Sequence, residues 1–259
     1  MRIAVCIKQI LDPRGIRLSR SRETIDPRQA ARIVNPPDKY ALEAALRLRE
    51  RHGGEVIALS VGAPEVSDAL REALAMGADR AILLSDEILA RADACGVAKA
   101  LARAVGRIGD VDLILTGERA LDSGAGTLPA RLAQELGWPV VPGAAEPQVE
   151  NGKIHAFQWD NGERWSVSVA LPAVLAIARR GEKPRYPPAP RIAWAYHEAK
   201  VETWACDDLG LPPEEASARH TEERNLVLPP ERNLGFILSG PPEEVARALV
   251  AELRSRRFI

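Results

Sequence analysis

Cysteine is scarce in this chain of 259 residues: Cys6, Cys95 and Cys206 are far apart, and no C-x-x-C pair occurs. That spacing excludes a disulfide framework, gives no structural zinc signature, and fits a reducing, cytoplasmic compartment. Aromatic residues amount to 4%, too few for a base-stacking surface. Neither sign of charge dominates, since 35 Lys and Arg against 36 Asp and Glu leave a net charge of −1. The global field that nucleic-acid binding uses is therefore missing. No apolar run approaches the roughly 18 residues of a membrane span, and MRIAVCIKQ at the N-terminus reads as a strand rather than a signal peptide. Also absent are G-x-x-x-x-G-K-[ST], a complete G-x-G-x-x-G, H-E-x-x-H and G-x-S-x-G. The four histidines, His52, His155, His197 and His220, are scattered. Neither side-chain catalysis nor a metal site is expected from these residue types.

What is present is 46% hydrophobic and 27% charged, the composition of an ordinary globular protein. At roughly 150 residues per domain, the length allows about one to two domains. Buried strands alternate with amphipathic helices through the first 140 residues. Strands are expected at Ile3–Ile7, Val56–Val61, Ala81–Leu84 and Val111–Leu115. Helices are expected after Asn35, around Pro64–Met76, over Asp93–Ile108 and over Leu128–Leu136, several of them ended by glycine. That alternation implies right-handed crossovers and a parallel sheet covered on both faces. After Pro139, turn chemistry at Asn151–Gly152 and at Asp160–Asn161–Gly162 suggests added antiparallel strands, followed by a buried strand at Leu171–Ile177. From Gly181 the chain is proline-rich and then polar as far as Pro230, and a last helix is expected over about Pro242–Arg257. The sequence divides into an α/β domain over 1–190 and, over 191–259, an extended C-terminal arm that needs another surface to lie on.

One stretch stands out as a candidate ligand site: TGERALDSGAGTL, Thr116–Leu128. It leaves the carboxyl end of a buried strand and enters a helix, where open α/β sheets bind ligands. Gly124, Ala125 and Gly126 would let backbone N–H groups approach an anion, with Ser123 and Thr127 adding hydroxyls. A helix starting near Leu128 would aim its positive end at a phosphate. Asp122 would accept from a ribose or order the loop, and Arg119 would pair with phosphate. The same stretch is equally a tight strand-to-helix connection whose glycines serve geometry only. Asn35–Pro36–Pro37–Asp38 is the second candidate, with simple helix capping by Asn35 as its alternative. Cys6 reads as a small core residue rather than a reactive thiol. The arginine-rich Arg14–Arg32 reads as a solvated hairpin.

The segments VCIKQILDP (Val5–Pro13), NPPDKYALEAALRLRE (Asn35–Glu50), EVIALSVG (Glu55–Gly62), REALAMGADRAILLSD (Arg71–Asp86), DLILTGERALDSGAGTLPARLAQELGWP (Asp112–Pro139), LPAVLAI (Leu171–Ile177) and KPRYPPAPRI (Lys183–Ile192) run in order along most of the chain. Together they resemble the β subunit of electron transfer flavoproteins, the AMP-binding family. VCIKQ and NPPDK are more similar to the anaerobic, bifurcating branch than to the mitochondrial one. The resemblance implies a Rossmann-like three-layer fold of the adenine-nucleotide α-hydrolase-like type. It also implies an obligate α subunit, which forms a heterodimer holding FAD mostly through the α chain. AMP would fill the β pocket, or a second FAD in bifurcating relatives. Carried over by position, the nucleotide contacts fall on Cys6, Asn35, Pro36, Pro37, Asp38, Val61 and the run Gly117, Glu118, Arg119, Ala120, Leu121, Asp122, Ser123, Gly124, Ala125, Gly126, Thr127 and Leu128. The arm would wrap the α subunit, and Pro184–Pro190 matches the loop that docks flavin dehydrogenases. Neither nucleic-acid binding nor membrane insertion is implied.

The chain also departs from that family. Many members carry D-G-D-T-A-Q-V-G-P where this chain has Asp122 through Pro129, so acidic and amide side chains are lost while the leading Asp stays. Gly117–Glu118–Arg119 replaces Gly-Arg-Gln, shifting a positive charge by one position. Ala189 stands where many relatives place a docking leucine, and Gln158 and Trp159 replace charged residues near the flavin. A nucleotide-binding sensor without redox work is the alternative from another class; the long arm and KPRYPPAP speak against it.

Overall fold

The structure, a computed structural model, describes residues 1–19, 24–26, 30–160, 162–217, 220–221 and 235–259. In chain order the elements are β1 (Arg2–Cys6), β2 (Gln9–Leu11), β3 (Arg17–Ser19), β4 (Thr24–Asp26), β5 (Arg32–Val34), α1 (Pro36–His52), β6 (Glu55–Val61), α2 (Ser67–Met76), β7 (Arg80–Leu84), α3 (Ala94–Ile108), β8 (Leu113–Gly117) and α4 (Leu128–Leu136). There follow β9 (Val140–Glu150), β10 (Lys153–Asp160), β11 (Glu163–Ala170), β12 (Ala173–Ile177), α5 (Ala189–His197), β13 (Glu202–Trp204), α6 (Pro213–Ser217) and α7 (Pro242–Ser255).

Nine strands form the main sheet in the order β11-β10-β9-β12-β8-β1-β6-β7-β13. β1 lies parallel to β6 on one side and to β8 on the other. The chain therefore steps outward from β1 through β6 to β7, then returns across the sheet to β8. The reversal puts a topological switch point between β1 and β8. The pleat divides the core. Ile3 and Val5 point to the layer of α1, α2 and α5 through Leu42, Leu46, Leu70, Leu74 and Ala195. Ala4 and Cys6 point to the layer of α3, α4 and α6 through Leu101, Ala104, Leu132 and Ala216. This is the expected three-layer α/β fold, with antiparallel pairings at β9–β10 and β10–β11. Helix α4 and its terminator Gly137, in left-handed conformation, fall where the sequence placed them.

The chain divides into two compact units, one of Met1–Leu18 with Asp26–Asn225, the other of Ser19–Ile25 with Leu226–Ile259. The first runs beyond the boundary at 190 read from the sequence. β13 pairs in parallel with β7, from Glu202 opposite Ile82 to Trp204 opposite Leu84. The guanidinium of Arg71 holds the end of α5 through the carbonyls of Ala195 and Ala199. The segment is held both by that pairing with a sheet edge and by its own apolar residues Ala195, Leu209, Leu211 and Ala216, which are buried in the core. In the second unit, α7 buries no residue and leaves Leu249 and Val250 exposed.

Of the arginine-rich stretch expected as a hairpin, residues 20–23 and 27–29 lie outside the described residues, as do residue 161 of the expected turn and residues 218–219 and 222–230 of the polar run. β2 pairs antiparallel with β5. Among the described residues, no helix is long and apolar enough to cross a membrane, and no cluster of His, Cys, Asp and Glu could hold a metal ion.

Candidate functional site

At the carboxyl edge of the sheet, the ends of β1 and β8 and the start of α1 meet at the switch point. Asn35 precedes α1, and Pro36 supplies the fixed φ that suits a first helical position. The expected side-chain cap is not made. The Asn35 amide instead reaches across the cleft, with Nδ2 donating to Asp38 Oδ1 at 2.8 Å and to the Arg119 carbonyl at 3.1 Å. Its Oδ1 accepts from the Leu121 N–H at 3.1 Å.

Asp38 is the second hub. Its carboxylate accepts from the Lys8 N–H at 2.7 Å, from Asn35 Nδ2 and from the Gly117 N–H. One buried side chain therefore joins the end of β1, the end of β8 and the first turn of α1. Gly117 leaves room for it, because a Cβ there would lie 2.4 Å from Asp38 Oδ1. Burial raises the Asp38 carboxyl from 3.8 to about 7, against the opposing pull of those hydrogen bonds and of the Lys8 charge. The folded protein thus holds this proton more tightly than the unfolded chain does. Its contribution to stability is complete below about pH 4 and is lost as pH rises through about 7. Asp38→Asn removes that titration, so the melting temperature of the variant relative to the parent should be higher at pH 8 than at pH 5. An equal difference at both pH values contradicts the assignment.

Cys6, at the end of β1, is buried, and burial together with the nearby Asp38 pushes its thiol up to about 12. It is an inert core thiol, as its position suggested. Val61 ends β6 on the same sheet edge. Pro37 is buried and Pro36 half-buried.

From Gly117 the loop turns outward. Residues 121–127 are exposed, with Gly124 and Gly126 in left-handed conformation at φ 66° and 59°. The Gly124 N–H closes a turn on the Ala120 carbonyl, and Glu118 N–H bonds the Ile177 carbonyl. Asp122 is bound by Lys8, whose Nζ donates to both carboxylate oxygens at 2.9 and 2.7 Å, and also accepts from the Ser123 N–H. Arg119 is exposed and sits 3.9 Å from Glu118. Leu128 begins α4 without a side-chain cap from Thr127. Among the described residues, the N–H groups of Ala125, Gly126 and Thr127 have no acceptor. Unpaired amides at the positive end of α4 suit an anion. A phosphate fits this chemistry.

The sequence reading missed Lys8, although its place just after the first strand marked it as an edge residue. It also missed an ion cluster behind α1, where Glu43 binds Arg185 of the segment Pro184–Pro190. A cavity of about 240 Å³ between α1 and β9, lined by Tyr40, Arg47, Arg51, Glu146 and Gln148 among others, lies apart from the loop and was not anticipated.

Fold and loop together define a doubly wound α/β protein with its candidate site beside the switch point of its sheet. The electron transfer flavoprotein domain profile matches residues 24–209. The caffeyl-CoA reductase–Etf complex subunit CarD of Acetobacterium woodii is 35% identical over 265 residues, covering all of both chains. The electron transfer flavoprotein subunit beta of Thermoanaerobacterium thermosaccharolyticum is 33% identical over 261 residues, again over both whole chains. Protein FixA of Azorhizobium caulinodans is 43% identical over 218 residues, 82% of this chain and 77% of its own. The chain belongs to the electron transfer flavoprotein family, in its β-subunit branch, and its role is electron transfer.

Proposed function

We propose that this chain works in the cytoplasm as a heterodimer with an α subunit that carries FAD. The complex passes electrons from flavin dehydrogenases to a respiratory or other acceptor, with AMP as a structural ligand in the cleft between β1 and β8. The redox chemistry belongs to the flavin, and this chain supplies binding, orientation and one wall of the flavin site. The observation that carries the reading is the row of unpaired amides at Ala125–Thr127, at the positive end of α4 and beside the switch point. On this reading those amides take the phosphate, with Ser123 and Thr127 adding hydroxyls. Pro184–Pro190 serves as the dehydrogenase docking loop.

A second reading places another FAD in the same cleft, as in a bifurcating complex. The exposed, glycine-bearing loop 121–127 leaves space for a pyrophosphate and favours it. Acid extraction of nucleotides from the chain purified with its α partner separates the two. One flavin and one AMP per heterodimer supports the first; two flavins and no AMP replaces it with the second.

A further inference from the structure

By position in the family, Asn35 falls among the nucleotide contacts, yet each of its polar groups already has a partner within the protein. The residue is 1% exposed. Both Nδ2 hydrogens are donated, to Asp38 and to the Arg119 carbonyl, and Oδ1 accepts from Leu121. The backbone N–H bonds the Lys8 carbonyl, and the backbone carbonyl accepts from the Asp38 N–H. These partners also fix which way the amide faces, since a flip would set its oxygen against two acceptors and its nitrogen against an N–H.

We infer that Asn35 is a positioning residue that touches no ligand and staples the segment Arg119–Leu121 to the start of α1. The staple holds the unpaired Ala125–Thr127 amides where an anion meets them. A second tie across the cleft, Lys8 to Asp122, joins side chains 49% and 35% exposed. Exposed ion pairs contribute little in water, whereas losing a buried amide strands the groups it had satisfied. The buried staple therefore dominates. Beyond both ties lie residues 123–127, which contain both left-handed glycines and the free amides.

The inference rests on the nucleotide-cleft reading, and the test keeps the two apart. The complex with the α partner is prepared as wild type, Asn35→Ala and Asp122→Asn. Amide exchange is followed in the peptide containing Leu121, and binding of AMP and of ribose 5-phosphate is measured by competition. In Asn35→Ala, exchange at Leu121 should accelerate about tenfold or more, with both ligands weakened by the same factor, because the anion cradle itself has moved. Asp122→Asn should change Leu121 exchange less than threefold. In a crystal structure with AMP, Asn35 should keep its bonds to Arg119 and Leu121, with none to the ligand. Unchanged Leu121 exchange overturns the inference, as does weakening of AMP alone or a hydrogen bond from Asn35 to AMP. If Asn35→Ala does not fold, Asn35→Ser, too short to span the cleft, gives the same readouts. A wild-type complex that binds no adenylate defeats the cleft reading, while the exchange measurement still decides whether Asn35 is the staple.

Discussion

Alanine at Gly117 is expected to be among the most damaging single-methyl additions to this protein. The added Cβ would lie 2.4 Å from Asp38 Oδ1, 2.7 Å from Pro37 Cβ and 2.8 Å from the Pro37 carbonyl carbon. None of these atoms yields easily. Asp38 is held by three donors, and Pro37 is buried in the first turn of α1. Overpacking of this kind costs about 3 kcal/mol, and relief requires parting the ends of β1 and β8 from α1. Gly117→Ala should therefore lower the urea midpoint sharply. Gly124 is the internal control. A Cβ there meets nothing within 4 Å, so Gly124→Ala incurs only the left-handed backbone penalty at φ 66°, about 1–2 kcal/mol. If the two variants have the same stability, close approach is not why Gly117 is a glycine.

Much of this architecture is legible in the sequence because its signals are local. Leu128–Leu136 repeats apolar residues at helical spacing and ends on Gly137, and the helix occupies those residues. Asp93 heads α3, and its carboxylate takes the Cys95 and Gly96 amides, a cap recognisable from residue type alone. The unread parts depend on partners remote in sequence. β13 is three residues in a polar run, and only its register against β7 makes it a strand. Asn35 is more instructive. A helix cap and a cross-cleft staple call for the same short amide before a helix, so local sequence cannot separate them. The answer lies in Arg119 and Leu121, 84 and 86 residues away. Sequence placed the loop at the sheet edge but could not say which of its amides were already bonded.

The ion cluster behind α1 supports the other large expected effect. Glu43 sits on the buried side of α1 with its side chain 2% exposed. Both its oxygens are occupied by Arg185: Nε and the backbone N–H donate to Oε2 at 2.8 and 3.0 Å, and a terminal nitrogen donates to Oε1 at 3.1 Å. Arg47 adds a bond at 2.7 Å. Burial alone would raise the Glu43 carboxyl, yet the bonds from Arg185 and Arg47 hold it below the ordinary carboxylate range. Its contribution is thus present at neutral pH and is lost on acidification. Arg185 belongs to the proline-rich segment whose next residue, Tyr186, is 87% exposed, so the clamp fixes the base from which that ring projects. Glu43→Gln keeps the shape but sets an NH₂ group against a guanidinium. Breaking a buried pair on one side costs about 3–5 kcal/mol; with Arg185 one-third exposed, solvent screening reduces the loss expected here to about 2–3 kcal/mol. Trypsin provides a direct readout. Lys183 precedes a proline and resists cleavage, while the Arg185–Tyr186 bond is protected only as long as Arg185 stays in its clamp. Glu43→Gln should expose that bond and release a fragment ending at Arg185 at temperatures where the parent chain stays whole. Equal cleavage rates in the two proteins would show that Glu43 does not hold the segment.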